Sequence, residues 1–159
     1  VKYAAKLIKS GKTHKEVIDG INNAITKTKV YAIADNLDYA VKGGRVSSTK
    51  KMIADLLNIK PIMSVTKDGK LGPIGAIWGK KNIIKKIYNF IKKQMETNKE
   101  YDIAIGHSVT EDKAKTLRKM IYENHSNINS ISILEIGCAL GVHTGPETLA
   151  IGIQEKLEV

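Results

Sequence analysis

One cysteine, one tryptophan, one phenylalanine and three prolines are all that the 159 residues carry of those types. The lone thiol, Cys138, excludes an internal disulfide and a multi-cysteine metal cluster, and it fits a reducing compartment. With so few large rings, the core has to be built from Ile, Leu, Val and Ala. No apolar run approaches the ~20 residues needed to cross a bilayer. No charged start followed by an apolar middle marks an export signal. The HExxH pattern and paired Cys/His spacings of zinc sites are missing. So are the Gly-x-Ser-x-Gly elbow of hydrolases and the GxxxxGK[ST] and GxGxxG phosphate loops. A soluble, cytoplasmic chain without metal or cofactor, and without catalytic residues of its own, is the expectation.

What is present is apolar residue and positive charge. Hydrophobic residues make up 42% of the chain, too many for disorder, and the length suits one domain with a real core. The net charge is +10. A solvated lysine surface accounts for it, and nucleic acid or transient contact with an anionic membrane surface are the alternatives. Residue 1 is Val, and Val1, Ala4, Ala5 and Ile8 already fall at helical spacing. The chain is therefore expected to be a piece of a longer protein.

Periodicity and punctuation give the elements. A first helix ends near Ser10-Gly11. Thr13 and Glu16 form a capping box for a second, whose apolar face is Val17, Ile18, Ile21, Ala24 and Ile25. Residues 29–34 read as a strand, and Asn36 as the cap of a short helix stopped by Gly43-Gly44. Ser47 or Ser48 opens another helix, with Met52, Ile53, Leu56 and Leu57 on its buried side. Residues 60–66 and 70–78 pair as a hairpin through Asp68-Gly69, and Gly72 and Pro73 place the second strand at an edge or on a bulge. A long amphipathic helix spans 80–97, with Ile84, Ile87, Tyr88, Ile91 and Met95 inward. Then come a strand at 102–107, a helix capped by Thr110 with the stripe Ala114, Leu117, Ile121, and strands at 130–136 and 149–153. The sum is an α/β, two-layer fold: a six-stranded mixed sheet with helices mainly on one face.

Few side chains suggest chemistry. His14 and His125 sit in polar surroundings and read as exposed. His107 ends a strand and reads as structural. His143 follows a small-residue stretch, 137–142, and precedes Thr144-Gly145-Pro146. Read as a loop, this stretch gathers backbone N–H groups, a ring nitrogen and a hydroxyl, which suits a carboxylate. A structural turn with an incidental histidine fits the spacing equally well. Arg45, just after two glycines, suits a fold-holding ion pair. A small hydrolase built on His107 or His143 lacks a paired nucleophile.

Four blocks in order carry a resemblance: Leu37-Asp38-Tyr39 leading to Gly43-Gly44-Arg45-Val46-Ser47; Leu56-Leu57-Asn58-Ile59-Lys60-Pro61-Ile62; Asp68-Gly69-Lys70; and His143-Thr144-Gly145-Pro146. Together they resemble the second, C-terminal domain of the bacterial DegV family, the fatty-acid-binding subunits of fatty acid kinase. The resemblance implies that residues 1–159 form one lipid-binding domain, with an N-terminal α/β domain outside this chain. It implies a long-chain fatty acid as ligand, whose carboxylate is presented to a separate fatty acid kinase catalytic subunit for acyl-phosphate formation. It places His143, Thr144 and Gly145 at the carboxylate. Ile53, Leu56, Leu57 and Ile62 become candidates for the acyl tunnel, and Gly43, Gly44 and Arg45 a structural motif. A basic nucleic-acid-binding module is the alternative from charge. Two residues depart from the family pattern: Glu147 stands where H-T-G-P is usually followed by glycine, and Trp78 where an arginine is common.

Overall fold

The computed structural model describes residues 2–47, 52, 58–66, 69–79 and 81–158. Six strands form one sheet: β1 (Thr28–Ile33), β2 (Ile59–Val65), β3 (Leu71–Trp78), β4 (Tyr101–His107), β5 (Ile128–Glu135) and β6 (Leu149–Glu155), ordered β3-β2-β1-β6-β4-β5. Only β4 and β5 run parallel. Among the described residues the helices are α1 (Lys2–Lys9), α2 (His14–Thr26), α3 (Asp38–Lys42), α4 (Ile83–Lys92), α5 (Glu111–Asn124) and α6 (Cys138–Thr144). The expected α/β architecture with a six-stranded mixed sheet is the one observed.

Strand alternation sorts the sheet into two unlike faces. Tyr31, Ile33, Ile62, Ile77, Ile103, Ile105, Leu149, Ile151 and Ile153 point to one of them and are buried. Against them lie Ile87, Tyr88 and Ile91 of α4 and Ala114, Leu117 and Ile121 of α5. Each such side chain contributes about 1.5–3 kcal/mol by leaving water, so this layer carries most of the stability. The opposite face presents Val30, Ala32, Met63, Val65, Ala104, Gly106, Ala150 and Gly152, all partly or fully exposed. It is small and apolar around Ala32, Ala104, Ala150 and Gly152, and polar toward α1, where Thr28, Asp102, Ser130, Ser132 and Gln154 share the face.

The capping box of α2 is present: Thr13 N–H donates to Glu16 Oε2 at 2.8 Å, and Glu16 N–H to Thr13 Oγ1. The hairpin is present too, with Gly69 at φ +79° in its turn. β3 is both an edge and bulged, because Ile62 pairs with Gly75 while Met63 pairs with Pro73.

Several expectations need correction. α4 is shorter than 80–97. Asn82 takes a left-handed φ of +56° just before it. At its far end the N–H groups of Lys93 and Gln94 bond only three residues back, which closes the last turn. Thr110 occupies the N-cap of α5, but at φ −148°, ψ 49° its side chain makes no capping bond. Ile18 and Ile25 of α2, and Met52, are exposed rather than buried. Packing explains α2: Gly20 lets it approach Leu7 and Tyr3 of α1, and Ile21 and Ile25 line a cleft, while Val17 and Ala24 are buried. Ser48, Ile53, Leu56, Leu57 and Asp68 lie outside the described residues. Trp78 ends the edge strand, exposed.

Candidate functional site

The site is assembled from two short helices. Leu37, not the expected Asn36, is the N-cap of α3, and Asn36 Oδ1 accepts the Asp38 N–H at 3.0 Å just ahead of it. Gly43 closes α3, and the Gly44 turn (φ +69°) brings the Arg45 N–H back to the Ala40 carbonyl at 2.8 Å. Residues 137–142 are expected as a loop, but residues 138–144 are the helix α6. Gly137, extended at φ −62°, ψ 155°, accepts the N–H groups of Leu140 and Gly141 and so begins it. Four small residues among six, Gly137, Cys138, Ala139 and Gly141, resemble turn chemistry, yet none of them prevents a helix.

α3 and α6 touch through the two motif blocks. A Cβ on Gly43 would lie 2.2 Å from Nδ1 of His143, closer than any real contact. A Cβ on Gly145 would lie 2.4 Å from the Tyr39 ring, and Gly145 sits at φ +76°. Two glycines thus allow two rings to close the junction, where any side chain would push it apart. His143 Nδ1 is buried and has no hydrogen-bond partner among the described residues. Buried polar atoms are seldom left so. With Nδ1 packed on Gly43, a proton on Nε2 rather than Nδ1 avoids burying an N–H with no acceptor.

Thr144 and Gly145 spend their donors inside the helix. Thr144 Oγ1 donates to the Leu140 carbonyl at 3.2 Å, and Gly145 N–H to the Gly141 carbonyl at 2.8 Å. Arg45 is exposed, and among the described residues it meets no carboxylate, so the expected ion pair is not seen. Ile62 faces the closed core at 2% exposure, not the open face. His14 is exposed, as read. His125 is not: it is half-buried, and its Nε2 meets Tyr88 Oη at 3.3 Å. Burial, then the nearby Lys92 charge, hold its pKa below the usual histidine value. His107 Nδ1 is a second buried nitrogen without a partner among the described residues. Among the described residues no three His, Cys, Asp or Glu side chains gather as a metal site.

Sequence reading missed two ion pairs beside the site. Lys60 is 5% exposed, and its Nζ bonds Asp35 Oδ1 at 2.6 Å and also the Asp35 carbonyl. The signal was available, since Lys60 shares strand parity with buried Ile62. Glu147 pairs with Lys113 at 2.9 Å, so it is neutralised in place. Glu147 also sits at φ +61°, which is the physical reason a glycine suits that position.

At the opposite end of the strands lies an apolar cleft of about 880 Å³, lined by Tyr3, Ile21, Ala24, Ile25, Val30 and Val65 among others. Between it and the α3–α6 junction runs the open sheet face. A shallower cleft lined by Tyr39, Gly141, Gly145 and Pro146 opens beside the junction.

Comparison with known proteins came to one family. The family described as "Uncharacterised protein, DegV family" matches residues 1–156. A DegV domain-containing protein of Clostridium perfringens is 36% identical over 151 residues, 95% of this chain and 52% of its own length. A fatty acid binding DegV family protein of Streptococcus agalactiae has a solved structure that superposes with a TM-score of 0.82 at 28% identity, covering 99% of this chain and 55% of that one. The Fatty Acid Kinase (Fak) B3 protein of Streptococcus pneumoniae, solved loaded with linoleic acid, also gives 0.82, at 22% identity over 98% of this chain and 54% of that one. The chain spans about half the length of the relatives it matches.

Proposed function

The chain belongs to the DegV family, and from that premise we propose that it binds a long-chain fatty acid and presents the carboxylate, oriented by His143, to a separate kinase in the cytoplasm. In this reading residues 1–159 are the lipid-binding C-terminal domain of a longer protein, and phosphoryl transfer to make the acyl phosphate belongs to the partner. The observation that carries it is the half-buried His143 ring, held on Gly43 with its buried Nδ1 lacking a partner among the described residues. Such a ring is oriented by packing and keeps Nε2 for a head group.

The open sheet face supports the acyl half. Ala32, Ala104, Ala150 and Gly152 make it shallow and greasy, and a strand of six residues runs ~20 Å, long enough to lay out an acyl chain. Each methylene removed from water contributes about 0.8 kcal/mol, so roughly fourteen contribute about 11 kcal/mol before the entropy cost of binding. The carboxylate adds orientation rather than most of the affinity. This arrangement shifts the tunnel candidate away from Ile62, whose side chain is in the closed core. Thr144 reaches a head group only by giving up its bond to Leu140.

Calorimetric titration with palmitate and with hexadecanol tests the proposal. Wild type binding both, with His143→Ala weakening palmitate about tenfold and hexadecanol hardly at all, supports it. Binding of neither lipid overturns it.

A further inference from the structure

A buried lysine needs a reason, because its charge is costly to remove from water. Lys60 lies in β2, on the face covered by α4, and is 5% exposed. Its ammonium takes both the carboxylate and the main-chain carbonyl of one residue, Asp35. Asp35 leads directly into Asn36, whose Oδ1 accepts the N–H of Asp38, the first residue of α3, and α3 ends on Gly43 against His143. Lys60 therefore fixes the root of the helix whose tip is the floor of the imidazole.

The second ion pair holds the other half of the junction. Glu147 follows α6 directly after Gly145-Pro146, and its carboxylate is held by Lys113 of α5. Its N–H donates to the Ser108 carbonyl at 2.7 Å. Lys60, Asp35, Lys113 and Glu147 line one small cavity together with Ile33 and Leu149. Both halves of the His143 junction are thus tied to the same closed-face core, one tie from each side.

We propose that Lys60 and Asp35, seconded by Lys113 and Glu147, are positioning residues for head-group recognition. They set the height of α3 on α6, and thereby the direction in which His143 Nε2 points. This rests on the reading of His143 as the carboxylate contact. Neither pair touches the lipid. A pair serving stability alone would weaken all ligands equally when broken, whereas a positioning pair changes the preference for a carboxylate over an uncharged head group.

The test uses palmitate and methyl palmitate as probes, with the His143 ring resonances followed by NMR in the ligand-free chain. Lys60→Met and Asp35→Asn are compared with Ile121→Val, a core variant remote from the junction that calibrates plain destabilisation. Lys60→Met and Asp35→Asn should move the His143 ring signals and cut the preference for palmitate over its ester about tenfold. Lys60→Arg should restore part of both, and Ile121→Val should leave both unchanged. Ring signals and preference as in wild type for Lys60→Met and Asp35→Asn would overturn the inference. If Lys60→Met fails to fold, Asp35→Asn gives the same readouts alone. If wild type shows no preference for palmitate, the carboxylate reading of His143 fails, while the ring signals still decide whether Lys60 positions it.

Discussion

Gly43 and His143, far apart in the chain, are in direct contact: the glycine's missing side chain is the space that the imidazole's Nδ1 edge occupies. The Gly-Gly-Arg block and the His-Thr-Gly-Pro block therefore form one structural unit. Gly145 and Tyr39 make the reciprocal contact, a glycine of the second block under a ring of the first. Each glycine is required by its neighbour's ring.

Gly43→Ala follows from this geometry. A methyl group 2.2 Å from a ring nitrogen cannot stay there, so α3 and α6 must part or the ring must turn. Overpacking of this kind costs ~1–3 kcal/mol. Thermal unfolding should show that loss, and palmitate titration should show weakened binding beyond it.

Glu147→Gly should stabilise the fold. A non-glycine residue at φ +61° costs ~1–2 kcal/mol, whereas the half-exposed pair with Lys113 contributes ~0–1 kcal/mol. The net is a gain of about 0.5 kcal/mol, after the added freedom of glycine in the unfolded chain. Denaturant midpoints should show the gain growing with salt, since salt screens the pair that the substitution removes.

His125 gives the fold an acid-side dependence. Its folded pKa is lowered, first by burial and then by Lys92, from the ordinary 6.5. A depressed value means that the neutral ring is favoured by folding. The contribution is present above pH 6.5 and is lost as pH falls through the lower folded value. Unfolding midpoints between pH 7 and pH 5 should fall more steeply for wild type than for His125→Gln, which cannot titrate.

Leu117→Ala tests where stability resides. Leu117 has no exposed surface and sits between α5 and the closed face of the sheet. Its truncation should cost ~2–5 kcal/mol in chemical unfolding. The equivalent truncation of Val30, on the open face, should cost far less.

Much of this was legible in the chain, for reasons that differ from residue to residue. The Thr13–Glu16 box, the Ala114, Leu117, Ile121 stripe and the hairpin are local and carry their own chemistry. What escaped depends on tertiary context. The α6 helix is stabilised by packing on α3, while its composition of glycine, alanine and cysteine carries little helical signal of its own. The start of α4 is set by a left-handed Asn82 that no pattern announced. His125 looked solvated because its polar neighbours hid the Tyr88 side chain arriving from another helix. Lys60 was passed over as one more lysine in a basic chain, although its strand parity with Ile62 already placed it inward. In the candidate site, His143 stands out by its residue type and setting, but its contact with Gly43 was visible only once the helices met.

The central claim is a bound fatty acid whose carboxylate meets the His143 ring. Carboxyl-labelled ¹³C palmitate added to the chain reads this directly. The account predicts a bound carboxyl resonance distinct from free palmitate that moves in His143→Gln. A bound resonance indifferent to that substitution, or free palmitate alone, would contradict it.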